Sequence, residues 1–433
     1  ACNVKERVFM KDLWKKYTQI GLVKRIISGL IIGTIFALIR QNLGESAVGN
    51  ALDTLKLFGS MFTGALKSIA PILVFFLVME SLCKHKEGQK TNMKHVIVLY
   101  LAATFLAALF SVIASFLFPI KMTLHPTAEE INPPKGLDEV LTTLLLNIVD
   151  NPVRALSTPN YMGILFWAVL IGLALKKASD PTKNMISNFA DAISSVVHTV
   201  INFAPFGVMG LIYSSITVSG TDIFKEYFAL IALLLGTMFF VALVVNPIMV
   251  WTQLKINPYP LVLACIKKSG LTAFFTRSSA ANIPVNMELC RQLELDEDTY
   301  SVSIPLGATI NMGGAAITIS IMTLAAANTL GIEVDFATAF VLSVLSALGA
   351  CGASGVAGGS LLLIPLACSL FGIPAETSAQ VVGVGYIIGV IQDSAETAIN
   401  SSTDVLFTAV ADFAKKAKDG EKIDYKRLLS NVK

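Results

Sequence analysis

Residues 393–404 read Asp-Ser-Ala-Glu-Thr-Ala-Ile-Asn-Ser-Ser-Thr-Asp, three acids inside a span otherwise apolar enough to cross a bilayer. At about 100° per residue, Asp393, Thr397, Asn400 and Asp404 share one helical face, with Glu396 on its flank. A carboxylate at bilayer depth costs about 2.5–3.5 kcal/mol on insertion scales. Such a group persists where it lines a protein cavity and gains partners there. The face therefore reads as a binding site, and its residues suit cations together with a polar solute.

The chain around this face is apolar throughout. Hydrophobic residues make up 54% and charged residues 15%, and the mean hydropathy is +0.68, which is the composition of a polytopic membrane protein. Apolar stretches recur at 21–39, 58–83, 96–119, 162–174, 187–217, 225–251, 299–330 and 376–392. Several exceed the roughly 20 residues that span hydrocarbon, so tilting or extension past the bilayer is expected. A net charge of +3 is too small to argue for nucleic acid. The cysteines Cys2, Cys83, Cys265, Cys290, Cys351 and Cys368 are scattered without metal-ligand spacing, and the four histidines form no cluster. With neither a metal-binding histidine near the acids nor an activated nucleophile, the sequence does not read as an enzyme.

Basic clusters set the orientation. They fall at 11–25, 84–94, 176–183 and from Lys415 to Arg427, whereas the alternate loops at 41–57, 121–140 and 218–224 carry few basic residues. The positive-inside rule places both termini in the cytoplasm, with six spans between residues 21 and 252. Residues 1–20 form a cytoplasmic N-terminal segment, of which 1–9 read as a leader or cloning remnant ahead of a start at Met10. Residues 414–433 read as a solvated, charged cytoplasmic tail.

Beyond residue 253 the spans are interrupted. Residues 258–290 form two short apolar pieces around Thr276-Arg277-Ser278-Ser279-Ala280-Ala281-Asn282-Ile283-Pro284, and residues 336–371 form two more around Gly349–Gly359. Each piece is too short to cross alone, and each centre holds the glycine, serine or asparagine that a tight turn needs. Both read as re-entrant hairpins, which are tolerated at depth where they are buried or line a wet cavity. The competing readings are a cytoplasmic loop for the first and a small-residue packing face for the second. Between them, Pro305–Ala315 weakens the span 299–330 at Gly307, Asn311, Gly313 and Gly314. Unwinding there frees backbone carbonyls, and oxygen-only coordination suits a hard cation such as Na⁺. A glycine-rich packing face is the alternative.

Four motifs in order, the Thr-Arg-Ser-Ser tip, Gly-Ala-Thr-Ile-Asn-Met, Gly-Val-Ala-Gly-Gly and the acidic last span, resemble the dicarboxylate/amino acid:cation symporter family over essentially the whole chain. Within that family, Ser-Ser-Ala-Ala-Asn-Ile-Pro-Val-Asn and Glu-Thr-Ala-Ile-Asn-Ser-Ser-Thr-Asp are most similar to its bacterial serine/threonine:sodium branch. The resemblance implies an all-α fold of eight transmembrane helices plus two re-entrant helical hairpins, the glutamate-transporter-homologue-like elevator. It also implies a homotrimer in the bacterial inner membrane. Residues 21–253 would hold six spans including the trimerising scaffold. Residues 258–413 would be the transport core, with hairpin 258–290, unwound span 299–330, hairpin 336–371 and last span 376–413.

The resemblance further implies residue roles. Asp393 would hold the substrate's α-ammonium. Asn400, Ser279 and the amides around Gly355 and Val356 would receive the α-carboxylate, helped by helix N-termini. Thr397 would line the side-chain pocket, and Met312 and Arg277 complete the substrate shell. Asp404 with the carbonyls of Gly307, Asn311 and Asn400 resembles one sodium site. The carbonyls of Thr309, Ala350, Cys351 and Ala353 resemble a second.

Three departures bear on specificity. Acidic-substrate members carry an arginine where this chain has Glu396, which repels a substrate carboxylate and favours a hydroxyl donor. Glu396 reads equally as an ion-pair partner of Arg277. The family's third cation site uses an acid where this chain has Gly313 and a hydroxyl where it has Ala103, although Tyr100 and Thr104 remain, so fewer ions are expected. Ala315 replaces a threonine found in acidic-substrate relatives. The reading is sodium-coupled import of serine or threonine; an acidic amino-acid or dicarboxylate symporter is the runner-up, and an ion channel is the rival from another class. Elsewhere, Pro71, Pro205 and Pro247 mark expected kinks, and His198 reads as a packing residue.

Overall fold

The computed structural model describes residues 17, 19–43, 46–83, 92–124, 142, 145, 146, 148–158, 160–353, 358–421 and 423–430, and these contain helices and turns but no strand. Residues 1–9, most of the 84–94 and 121–140 segments, and the hairpin residues Gly355 and Val356 lie outside the described residues. Among the described residues, five helices are long and apolar enough to cross a membrane: Lys24–Leu43, Ala47–Glu80, Met93–Leu117, Gly220–Leu254 and Glu297–Thr329. Asp180–Asn202 and Ala204–Val218 pass the same test only as a pair and meet at a bend of 51°, either one broken span or a re-entrant turn. The chain is a multi-pass, all-helical membrane protein.

Prolines place two of the irregularities. Pro205 opens the helix Ala204–Ser219 directly after the bend, where a missing N–H breaks no bond. Pro247 follows a π-helical turn at Val241–Val245, which absorbs the donor lost from the ladder. Pro71 lies inside the uninterrupted helix Leu55–Cys83.

Close backbone approach organises the first part of the chain. The Ala204–Ser219 helix packs on both Leu22–Leu43 and Leu55–Cys83. A side chain at Gly29 or Gly33 would collide with the carbonyls of Pro205 or Met209, and a Cβ at Gly210 would come within 2.5 Å of Leu55 O and Gly59 N. In lipid, where hydrophobic burial adds little between helices, such contact supplies the packing energy.

The later part is built around two deeply buried helices. The broken span comprises Glu297–Ile310 and Gly313–Thr329, separated by non-helical Asn311 and Met312. The acidic helix Ala375–Lys418 is 44 residues long, about 66 Å at 1.5 Å per residue, so it extends well past a hydrocarbon core of about 30 Å. Nearly every residue of Gly313–Thr329 and most of the acidic helix are buried.

Two helical reversals pack against this pair. The first hairpin runs through Tyr259–Cys265, a π-helical turn at Ile266–Gly270 and Leu271–Thr276. It reverses at Arg277 in the left-handed region (φ 54°) and returns as Ser279–Gln292, capped by the Ser278 hydroxyl. The second rises as Phe336–Ala350 and, beyond its turn, returns as short helical pieces, Ser360–Leu363, Ile364–Cys368 and Ser369–Phe371. Asp335 caps its start, accepting from Thr338 N at 3.0 Å, and the hydrogen bonds from Thr338 hold the Asp335 carboxyl below its ordinary pKa. The rising arm has 15 residues, about 22 Å, less than the apolar thickness.

The C-terminal segment corrects one expectation. Instead of lying free in solvent, Tyr425–Ser430 forms a short helix that buries Leu428 and sets Tyr425 edge-on to Phe413 at 5.4 Å. Arg427 reaches Glu294 at 2.7 Å, and Lys416 donates to the Glu294 carbonyl. Exposed ion pairs contribute little; the burial of Leu428 is the stronger term.

Gly210→Val is expected to destabilise the packing of the first helices by about 1–3 kcal/mol through overpacking. Gly236→Ala, which meets nothing within 4 Å, serves as the control. Thermal unfolding in detergent checks this: a lower transition for the valine variant and none for the alanine variant, whereas equal transitions would remove the close-approach argument.

Candidate functional site

The acidic helix supplies the spine of the site, and its Asp393 carboxylate joins both hairpins. Asp393 Oδ2 accepts from Arg277 Nε at 2.7 Å, and Asp393 Oδ1 accepts from Gly358 N at 3.1 Å. Asp393 is 2% exposed and Arg277 8%, so the pair is buried and depends on geometry as well as charge. Arg277 can make the contact because its left-handed backbone forms the hairpin tip. Ser279, buried, begins the return helix beside it.

This overturns one of the two roles open to Glu396, since Arg277 pairs with Asp393 instead. Glu396 is held by neutral donors: Oε2 accepts from Thr318 Oγ1 at 2.7 Å, Ser360 Oγ at 2.8 Å and Gln392 Nε2 at 2.6 Å. The hairpin guanidinium goes to the carboxylate that also receives the Gly358 amide, and Glu396 is satisfied without it. Thr397, on the expected face, returns its hydroxyl to Asp393 O at 2.7 Å.

Below this level lies the helix break. Asn400 Oδ1 accepts from Gly314 N at 2.7 Å, capping the second half of the broken span. Asn311 Nδ2 lies 2.8 Å from Asp404 Oδ1, 2.8 Å from Thr403 Oγ1 and 3.4 Å from Asn400 O. A Cβ at Gly307 would meet Asp404 Oδ1 at 2.5 Å, so a side chain there would push the Asp404 carboxylate from its present place. Asp404 is fully buried, yet its Oδ2 has no hydrogen-bond partner, and neither has Asn311 Oδ1. Two orphaned oxygens at a helix break form a donor set for a hard cation. The sequence-predicted residues Gly307, Asn311, Asn400 and Asp404 are thus brought together.

The second proposed ion set is gathered less completely. Cys351 Sγ reaches Ile310 O at 3.5 Å, bringing the second hairpin's turn beside Thr309, whose own hydroxyl bonds Leu306 O at 2.8 Å. Ala350 and Ala353 are buried in the same turn, where Ala353 N donates to Ala350 O at 2.9 Å. Met312 is buried at the break. At Gly313 a Cβ would meet Ala107 at 3.3 Å, so this position is packed against the Met93–Leu117 helix.

Sequence reasoning missed several polar residues. Gln392, Thr318 and Ser360 surround Glu396; of these, Gln392 was discoverable, one turn before Glu396 on the same helix. Asn282 Nδ2 lies 3.1 Å from Ser269 O and 2.8 Å from Ser401 Oγ, and Asn286 Nδ2 donates to Ser401 O at 3.1 Å. That network ties both arms of the first hairpin to the acidic helix. Tyr100, already noted in the sequence, donates its hydroxyl to Asp404 O at 2.9 Å and lies 2.8 Å from Thr408 Oγ1.

Comparison with known proteins places this arrangement. Residues 22–413 match the sequence model described as the sodium:dicarboxylate symporter family. The chain is 58% identical over 411 residues to the serine/threonine transporter SstT of Streptococcus agalactiae serotype Ia, covering 94% of this chain and 100% of the relative. The serotype V and serotype III proteins of the same name match at the same identity and coverage. The chain belongs to the sodium:dicarboxylate symporter family.

Proposed function

We propose that the protein is a secondary active transporter that brings serine and threonine into the cell with sodium. The observation that carries this reading is the buried Asp404 carboxylate, whose Oδ2 has no hydrogen-bond partner, two turns beyond Glu396 on one helix. A cation beside Asp404 neutralises a charge that the protein leaves uncompensated, and Asn311 Oδ1 adds a second oxygen. The names of the relatives support serine and threonine as cargo.

The residues present fit an amino acid. Asp393 takes the α-ammonium in exchange for its contact with Arg277, while Asn400 turns its amide nitrogen to the α-carboxylate because its Oδ1 is engaged by Gly314. Ser279 and the second hairpin's amides at Gly355 and Val356 complete that end, with Thr397 and Met312 along the side chain. Glu396, ringed by neutral donors, opposes a second carboxylate and accepts from a hydroxyl. Gly307, Asn311, Asn400 and Asp404 hold one sodium; Thr309, Ala350, Cys351 and Ala353 hold a second beneath the second hairpin.

The proposal extends to an elevator cycle in a homotrimer of the bacterial inner membrane, with eight spans, two re-entrant hairpins and both termini cytoplasmic. Residues 21–253 contain the scaffold and residues 258–413 the moving core. The second hairpin closes over cargo and ion together, because its turn serves both. Accumulation against a gradient separates this from a channel.

Competition of unlabelled amino acids against radiolabelled serine in proteoliposomes, with and without a sodium gradient, tests the reading. Serine and threonine are expected to compete and aspartate not; sodium-independent equilibration would refute symport. Asp404→Asn is expected to raise the sodium concentration needed for half-maximal uptake with little change in selectivity, and unchanged sodium activation would remove Asp404 from the ion site. Glu396→Arg is expected to lower serine uptake and admit aspartate as a competitor, an exchange that wild-type serine uptake in the variant would contradict. Arg277→Met leaves the Asp393 carboxylate without its guanidinium, a loss of about 3–5 kcal/mol. Serine is then expected to raise the variant's melting temperature more than the wild type's; equal shifts would sink the exchange of Arg277 for ammonium.

A further inference from the structure

Glu396 is held more firmly than repulsion of an acidic substrate requires. Its Oε2 takes donors from three separate elements: Thr318 on the second half of the broken span, Ser360 on the second hairpin's return arm, and Gln392 on the acidic helix. All three are at most 1% exposed. They are also linked to each other, since Gln392 Nε2 lies 2.7 Å from Thr318 Oγ1. Thr318 therefore accepts from the amide and donates to the carboxylate, so one chain of bonds ends on Oε2.

The orientation of Gln392 shows what the arrangement favours. With Nε2 towards Glu396, Gln392 Oε1 is left buried without a hydrogen-bond partner. The reversed amide would set a carbonyl oxygen against a carboxylate oxygen, so the unpaired carbonyl is the lesser cost. Three donors fill the acceptor directions of Oε2, and the remaining acceptor capacity of the carboxylate is concentrated on Oε1. The three donors are neutral, so they orient the carboxyl group by hydrogen bonding rather than by pairing it with a cation.

We propose that Thr318, Ser360 and Gln392 are positioning residues that aim Glu396 Oε1 at the β-hydroxyl of the substrate and so set the preference for hydroxy amino acids over alanine. The inference rests on the transport reading above and deepens it. Ser360 gives it a second consequence. One of the three donors rides on the second hairpin, so Glu396 is fully aimed only when that hairpin holds its present position. Recognition of the hydroxyl is thereby coupled to closure.

The test measures sodium-driven uptake of radiolabelled serine and of radiolabelled alanine in proteoliposomes for wild type, Thr318→Val, Ser360→Ala and Thr318→Ser. Loss of one aiming bond is expected to lower the ratio of serine to alanine kcat/KM by about ten-fold, through a higher KM for serine while the KM for alanine moves little. Thr318→Ser, which keeps the hydroxyl, is expected to recover the preference. A structural role alone would depress both substrates equally and leave the ratio unchanged. A wild-type ratio in both Thr318→Val and Ser360→Ala overturns the inference and leaves serine transport standing. Absence of sodium-driven serine uptake in the wild type removes the transport reading, and the inference with it.

Discussion

Charge held away from water is the constraint on which the rest of this protein depends. The acidic helix carries Asp393, Glu396 and Asp404 at 5% exposure or less, and each is treated differently. Asp393 is paired with a guanidinium and an amide from opposite hairpins. Glu396 is surrounded by neutral hydroxyl and amide donors. Asp404 keeps one oxygen without a hydrogen bond beside a helix break. The three solutions give three environments along one helix: a buried ion pair, an acceptor fixed by neutral donors, and a carboxylate with one oxygen left without a hydrogen bond.

These solutions explain why the backbone is irregular where it is. Arg277 and Gly358 reach Asp393 from separate parts of the chain, and the break at Asn311 and Met312 exposes oxygen and amide groups to Asp404 and Asn400. Regular helices would satisfy their own backbone and leave the carboxylates unattended. The first part of the chain faces no such demand. Its helices approach through Gly29, Gly33, Gly59 and Gly210, a packing that binds backbones rigidly to each other. The first part thus packs through glycines, whereas the later part carries the polar residues and both hairpins.

Much of this was legible in the sequence because the bilayer is a demanding solvent. Apolar length announced the helices, and acids inside an apolar frame announced the site. The reversal at Arg277 falls among Thr276, Ser278 and Ser279, and the break falls where Gly313 and Gly314 follow Asn311. What remained hidden depended on three-dimensional choice. Whether Arg277 takes Asp393 or Glu396 is decided by where a hairpin tip lands along the acidic helix. Thr318, Ser360 and Gln392 are ordinary neutral residues whose meaning appears only when three elements converge. The tail looked solvated because its charges outnumber its apolar residues, yet among its described residues Leu428 finds a buried place.

If cargo and ion are enclosed by the same hairpin, their affinities must be linked, and linkage is reciprocal by thermodynamic necessity. The most direct measurement is calorimetric titration of sodium at fixed serine concentrations, paired with titration of serine at fixed sodium concentrations. The account predicts that each ligand tightens the other by the same factor. Sodium binding indifferent to serine would contradict it.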